Sequence, residues 1–228
     1  ISSGMRSWWA DWPALQKRLS SAKSLLLCLD YDGTLTPIKP HPSQARLAEQ
    51  TTRLLEDLAR QPGVWVALVS GRRLRELTTV VGIRRIYYVG NHGLELRGPA
   101  LRYQHPVSHT SRALLTLIAQ RLKAALRPIP GAWVEEKGLT LSLHWRNVPP
   151  SFRRRFRELV AHQTASHVKQ DTIRLTQGKC VMEIRPPVRW EKGASIDWLR
   201  QRLVNSSRRA RPLVMYVGDD ETDESAFR

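Results

Sequence analysis

The sequence predicts an α/β fold, a doubly wound parallel-sheet core interrupted by an inserted α+β module. Three observations predict it. Four short apolar runs, Leu25 to Leu29, Val64 to Val69, Ile86 to Val89 and Leu213 to Val217, read as strands buried on both faces. Segments with helical apolar spacing separate them. Polar residues gather just past the carboxyl ends of the runs, where the ligand sites of such sheets lie. The 228 residues suit one large domain or two small ones, and suffice for a core without cross-links.

A first helix opens at Asp11, with Trp12, Leu15 and Leu19 on one face. The run Leu25 to Leu29 ends abruptly at Asp30. Three prolines between Thr36 and Pro42 make that segment a loop. Ser43 is the expected cap of the next helix, whose face is Leu47, Leu54 and Leu58 and which Pro62-Gly63 stops. Val64 to Val69 ends at Ser70-Gly71. Leu74, Leu77 and Val81 mark a helix closed by Gly82. Ile86 to Val89 ends at Gly90-Asn91-His92-Gly93.

From Gly98 the texture changes. A helix carries Leu115, Ile118 and Leu122. Strand-like runs follow at Ala132 to Glu136 and Leu139 to Trp145. A helix starting at Pro149-Pro150-Ser151 has Phe152, Phe156 and Val160 on its apolar face, and its arginines Arg153, Arg154, Arg155 and Arg157 are expected to be solvated. Two more strands fall near Thr172 to Thr176 and Cys180 to Ile184. The expected division is therefore a core of residues 1–97 and 188–228 around a module of residues 98–187. A helix with Ile196, Leu199 and Leu203 leads back to the last strand. A doubly wound core usually continues with another strand and helix, so a truncated C-terminus is expected after Arg228.

Composition excludes several classes. Hydrophobic residues are 41% and charged residues 25%, which is ordinary for a globular protein and excludes general disorder. No apolar run approaches the ~20 residues that span a bilayer. No signal-peptide pattern is visible at the start, and a cytoplasmic location is expected. Two cysteines, Cys28 and Cys180, make neither a disulfide framework nor a zinc spacing. The formal charge is +17, from 37 Lys plus Arg against 20 Asp plus Glu. That balance suits either a nucleic-acid backbone or an anionic substrate in an arginine-rich composition. No helix-turn-helix pattern and no aromatic–basic sheet face supports the first.

The strongest chemical signal is Asp30-Tyr31-Asp32-Gly33-Thr34, directly after a buried strand. Two carboxylates two residues apart repel unless a cation compensates them, so a divalent metal is implied. Gly33 lets the backbone pass close to a ligand. The plainer alternative is an ordinary Asp-Gly turn. A second signal runs from Tyr216 to Glu224, where five of the chain's 20 acids sit between Asp219 and Glu224. A helix N-terminus would favour Glu221 and Asp223 but leaves Asp219 unexplained. Ser70-Gly71-Arg72 offers a hydroxyl and helix N-terminal amides to an anion. Lys192-Gly193 opens the helix before the last strand and brings a cation to balance the acids.

In this order, these four elements resemble the motifs of the haloacid dehalogenase (HAD) phosphatase superfamily, which has a Rossmann-like core and an inserted cap. The resemblance implies that Asp30 is the nucleophile and that Asp32 is the general acid and then base. It implies that Ser70 and Lys192 hold the phosphoryl oxygens, with Thr34, Gly71 and Arg72 beside the substrate. Mg²⁺ would be held by Asp30, the Asp32 backbone carbonyl and Asp219, with Asp220 and Asp223 as supports.

Four further stretches are similar to trehalose-6-phosphate phosphatases. They are Gly90 to Glu95, Glu135 to Arg146, Glu183-Ile184-Arg185-Pro186 followed by Lys192-Gly193, and Gly218 to Glu224. The resemblance covers Leu25 to Phe227. Alternation puts Thr140, Ser142, His144 and Arg146 on one strand face, and Glu135 shares a face with Lys137. By resemblance, Glu135, Lys137, His144, Arg146 and Glu183 contact glucose hydroxyls, with Asn91 and His92 nearby. The implied activity is Mg²⁺-dependent hydrolysis of trehalose 6-phosphate through an aspartyl-phosphate. Sister readings are a phosphatase of sucrose 6-phosphate or mannosyl-3-phosphoglycerate. A non-catalytic regulatory module is a third, against which the presence of Asp30, Asp32, Lys192 and Asp219 argues. The implied partners are a small sugar phosphate and a trehalose-6-phosphate synthase, with no nucleic acid and no membrane. Residues 98–187 hold 15 Lys plus Arg against 5 Asp plus Glu, a net of +10, so the basic charge reads as steering for an anionic substrate.

Overall fold

The structure, a computed structural model, describes residues 11–39, 44–178, 180–207, 211–219 and 221–226. Its helix α1 spans Trp12–Ser21. Four parallel strands then form the heart of the larger sheet: β1 (Leu25–Asp30), β2 (Val64–Val69), β3 (Tyr87–Gly90) and β10 (Leu213–Val217). Strand β1 lies between β10 and β2, with Leu29 paired to Val217 and Asp30 paired to Val69. That register brings the carboxyl ends of the three strands side by side, and with them Asp30, Ser70 and Asp219.

The helices α2 (Glu49–Arg60) and α3 (Leu74–Val81) cover one face of the sheet through Leu55, Leu77 and Val81. Gly82 closes α3 in a left-handed conformation, φ 72°. Helix α6 (Lys192–Ser207) covers the other face through Ile196, Leu199 and Leu203. Helix α2 departs from its expected phase. Ser43 lies outside the described residues, and Leu47 packs on the core from the extended segment before the helix. A period counted from Leu47 is therefore out of step. Leu55 is the buried leucine, and Leu54 is 58% exposed.

The sheet is mixed rather than wholly parallel. Strands β4 (Glu95–Gly98) and β5 (Leu101–Gln104) extend it as an antiparallel hairpin, giving the order β10-β1-β2-β3-β4-β5. The boundary expected at Gly98 cuts this hairpin, because Leu96, Leu101 and Tyr103 pack with the core strands and α6. Gly98 itself lies against the Tyr87 ring, where a Cβ would come within 2.1 Å of it.

The second sheet is antiparallel throughout. Its strands are β6 (Trp133–Glu136), β7 (Leu141–His144), β8 (Arg174–Gly178) and β9 (Val181–Arg185), in the order β6-β7-β9-β8. Helices α4 (Val107–Leu126) and α5 (Pro150–Lys169) cover one face of it, packing Leu115, Ile118, Leu122, Phe156 and Val160 against Leu141, Leu143 and Ile184. The opposite face is polar. Glu135, Ser142, Glu183 and Thr176 stand in one register row across the four strands. On α5, Arg153 and Arg157 are not simply solvated, since their guanidinium groups lie 5.4 and 5.6 Å from the Trp145 ring. Cys28 and Cys180 are free thiols. Among the described residues, no helix is long and apolar enough to cross a membrane.

Candidate active site

Asp30 ends β1 and is 4% exposed. The Lys192 ammonium, at the start of α6, donates to Asp30 Oδ1 at 2.7 Å and to Asp223 Oδ1 at 2.6 Å. The Tyr216 hydroxyl on β10 donates to the same Asp223 oxygen. Gly193 allows this approach, because a Cβ there would meet the Ser225 carbonyl oxygen at 2.0 Å. Burial pushes the Asp30 carboxyl up to about 7, with Lys192 acting against that rise. Burial also pulls the Lys192 ammonium down, but Asp30 and Asp223 outweigh it and raise the group above its ordinary value.

Asp30, Asp219 and Asp223 each offer a carboxylate oxygen within 4.8 Å of the others. Three hard oxygen donors beside one ammonium suit a hard divalent cation. Asp223, expected as a support, stands in this donor set. Asp220 lies outside the described residues. Thr34, expected beside the substrate, donates instead to Asp219 Oδ1 at 3.0 Å.

Asp32 lines the cavity over Asp30 but stands outside this donor set. Arg72 grips its carboxylate through Nη2 at 2.6 Å and Nε at 2.7 Å, and donates through Nη1 to Glu76 at 2.9 Å. The guanidinium lies 5.1 Å from the Tyr31 ring centroid. Arg72 was expected beside the substrate; it lines the cavity, with two of its nitrogens on Asp32 and the third on Glu76. The Ser70 hydroxyl lies 3.4 Å from the same carboxylate and accepts the Arg72 backbone N–H at 3.1 Å.

The Asn91–Gly93 turn joins the two sheets. Asn91 and His92 both hold positive φ, 48° and 56°, a conformation unusual outside glycine. The backbone N–H of Asn91 donates to the Arg72 carbonyl at 2.7 Å, and that of His92 to the Ser70 carbonyl at 3.2 Å. Their side chains reach the four-stranded sheet. Asn91 accepts from the Thr140 hydroxyl at 3.2 Å and donates to Glu95 at 2.6 Å. His92 Nε2 lies 2.9 Å from the Glu183 carboxylate, and Arg185 donates to Nδ1 at 3.1 Å.

Burial pushes the His92 imidazole down to about 4, so it is neutral near pH 7. A neutral ring satisfies both neighbours only with the proton on Nε2, donated to Glu183. Burial would raise Glu183, but His92, Lys137 and Arg185 hold it well below the usual carboxyl range.

A pH dependence of stability follows from His92. In the unfolded chain the ring takes up a proton below about 6.5, whereas in the fold it does so only near 4. The unfolded state therefore binds more protons in that window, and stability is lost as pH falls through it. The loss amounts to about 3 kcal/mol at most. Glu183, with its depressed value, contributes stability that is lost only at still lower pH. Asp30, raised to about 7 by burial, works the other way in parent and variant alike, so the effect is read as a difference: the parent's thermal midpoint is expected to lose ground to that of a His92→Asn chain steadily from pH 7 to 4. A difference that stays constant over this range would remove His92 from this role.

The cavity over Asp30 measures about 210 Å³. The core lines it with Asp30, Asp32, Ser70, Gly71, Arg72, His92 and Lys192, and the four-stranded sheet side lines it with Glu135, Lys137, His144 and Arg146. His144 pairs with Glu135 at 2.8 Å and stacks on the Trp133 ring at 3.9 Å. Gly71 lets the His92 ring close on the Ser70 loop, since a Cβ there would meet that ring at 2.5 Å. Asn91 and Glu183 do not line this cavity, because each is held inside the junction just described. Sequence reasoning missed Trp133 and gave Tyr216 no role of its own within the acidic stretch. Tyr216 carried one available signal, its place two residues before Gly218 on an apolar strand.

Comparisons with known proteins agree in direction. The family described as Trehalose-phosphatase matches residues 28–228. Trehalose-phosphate phosphatase of Mycobacterium tuberculosis is 36% identical over 209 residues, covering 90% of this chain and 51% of that protein. Probable trehalose-phosphate phosphatase D of Arabidopsis thaliana is 32% identical over 220 residues, covering 92% of this chain and 58% of that one. The chain thus spans about half the length of the curated relatives it matches. Among solved structures, the C-terminal domain of the C. albicans trehalose-6-phosphate phosphatase superposes with a TM-score of 0.77 at 23% identity, covering 94% of this chain and 76% of that one. The Aspergillus fumigatus trehalose-6-phosphate phosphatase gives a TM-score of 0.60 at 27% identity, covering 94% and 80%.

Proposed function

From its place in the trehalose-phosphatase family, to which the chain belongs, we propose that it hydrolyses trehalose 6-phosphate to trehalose and phosphate. One observation carries the reading. Asp30 opens into a cavity whose other wall bears Glu135, Lys137, His144 and Arg146, polar groups suited to sugar hydroxyls. Residues 98–187, less the β5 hairpin strand, are read as the cap that selects this substrate.

In the proposed mechanism the Asp30 carboxylate attacks phosphorus, and the bond to the sugar 6-oxygen breaks. Asp32, aimed by Arg72, gives that oxygen its proton. Water then attacks the aspartyl-phosphate, Asp32 takes the water's proton, and phosphate leaves with Asp30 restored. Ser70 and the backbone around Gly71 hold phosphoryl oxygens, while Lys192 balances charge beside Asp30. Asp30, Asp219 and Asp223 are the residues that would hold Mg²⁺, which when bound neutralises phosphoryl charge as a Lewis acid. Glu183 acts on the sugar wall through His92 and Lys137, and Asn91 fixes the turn that carries His92. Association with a trehalose-6-phosphate synthase belongs to the same proposal and is checked by co-purification.

Phosphate release with Mg²⁺ from trehalose 6-phosphate, sucrose 6-phosphate and glucose 6-phosphate tests the reading. Release from trehalose 6-phosphate is expected to exceed the other two by at least about tenfold. Equal turnover of all three overturns the substrate, and no release from any overturns the activity.

Gly33 gives a second test. Its φ is 102°, and a Cβ there would lie 2.3 Å from Asp219 Oδ2. Gly33→Ala must therefore displace the Asp219 carboxylate. Mg²⁺ affinity, read by calorimetric titration, is expected to weaken by about 10- to 100-fold, the usual cost of misplacing a ligand's support. Unchanged affinity would argue that Asp219 does not hold the ion.

A further inference from the structure

The polar face of the four-stranded sheet continues past the catalytic cavity. Beyond the His92–Glu183 contact it extends over β9 and β8 and borders a second cavity of about 620 Å³. His92 and Lys192 border both cavities, so they form the wall between them. Lys192 is already engaged by Asp30 and Asp223.

The second cavity gathers positive charge. Arg174 on β8 stands directly opposite Arg185 on β9, and Arg189 lines the same space. Like charges opposed on antiparallel strands destabilise the pairing unless something compensates them. Arg185 is compensated by Glu183, to which its Nε donates at 3.1 Å. Arg174 and Arg189 have no ion-pair partner among the described residues. Glu191 and Glu224 face the cavity too, but neither reaches an arginine.

We propose that this cavity is a second anion site, in which Arg174 and Arg189 bind the phosphoryl oxygens of a phosphate-bearing ligand. Guanidinium forks match phosphoryl oxygens in geometry and charge. Inorganic phosphate and a sugar phosphate share this chemistry. A ligand here lies across the His92 wall from Ser70 and out of line with Asp30, so it is held without reacting. The site goes beyond the proposed hydrolysis and does not depend on it.

Calorimetric titration of the full chain with inorganic phosphate, in the presence of Mg²⁺, tests the site. A second titration uses trehalose 6-phosphate and the Asp30→Asn chain, which keeps Arg174 and Arg189 and the Lys192–Asp223 pair. Two equivalents are expected to bind, one of them weakened at least tenfold in Arg174→Gln/Arg189→Gln. Arg189→Gln alone, at an exposed residue outside any strand, serves if the double variant does not fold. A second equivalent seen with either titrant and lost in the variant supports the site and identifies the ligand's source. Binding that survives the substitutions in full with both titrants, whether one equivalent or two, overturns it. Stoichiometry is read without turnover, so a chain that binds the second equivalent yet releases no phosphate would overturn only the proposed function.

Discussion

Asp30→Asn is expected to lower phosphate release from trehalose 6-phosphate by about 10⁴- to 10⁶-fold, the range seen when a covalent nucleophile is removed. The amide keeps the shape of the carboxylate but has no anionic oxygen to attack phosphorus. The fold should survive the change. Burial already pushes the Asp30 carboxyl up to about 7, so the site strains against its charge, and a neutral amide relieves that strain. The thermal midpoint without metal is therefore expected to stay level or to rise while turnover disappears. Release within tenfold of the parent chain would show that another group carries the attack.

Lys192→Met is expected to damage both stability and turnover. Lys192 is 3% exposed and bridges Asp30 and Asp223. Removing it leaves two carboxylates buried without their cation, and breaking such a pair costs about 3–5 kcal/mol. For a chain of this size that is a fall in thermal midpoint of roughly 6–20 °C. Mg²⁺ should restore part of the loss, because Asp30 and Asp223 are both in its donor set. Turnover is expected to fall about 10²- to 10³-fold, as for the loss of one charge-stabilising donor. A midpoint unchanged in the metal-free protein would mean that Lys192 does not carry the buried charge balance.

The parts legible in the sequence are those with a one-dimensional signature. Buried parallel strands read as unbroken apolar runs, and Val64–Val69 and Leu213–Val217 match the observed strands at both ends. Asp30, Ser70 and Asp219 follow such runs directly, so their meeting at one edge of the sheet could be read from the residue order. The β4–β5 hairpin was not legible, because Glu95–Gly98 and Leu101–Gln104 are four residues each, too short for a clear alternation. Partnerships across the chain were also hidden. Nothing in the residue order says that Arg72 grips Asp32, 40 positions away, or that Thr34 bonds Asp219, 185 positions away. The positive φ of Asn91 and His92 was equally silent, since neither is a glycine. Asn91, His92 and Glu183, expected around the sugar, also form a buried joint between the two sheets.

That joint has a mechanical meaning. One residue, His92, is tied by its backbone to Ser70 and by its ring to Glu183. If the roof swings away from the base, either the ring parts from its carboxylate or the pull reaches the serine. The two sheets are thus coupled through one short turn, and a displacement of either is felt at the other.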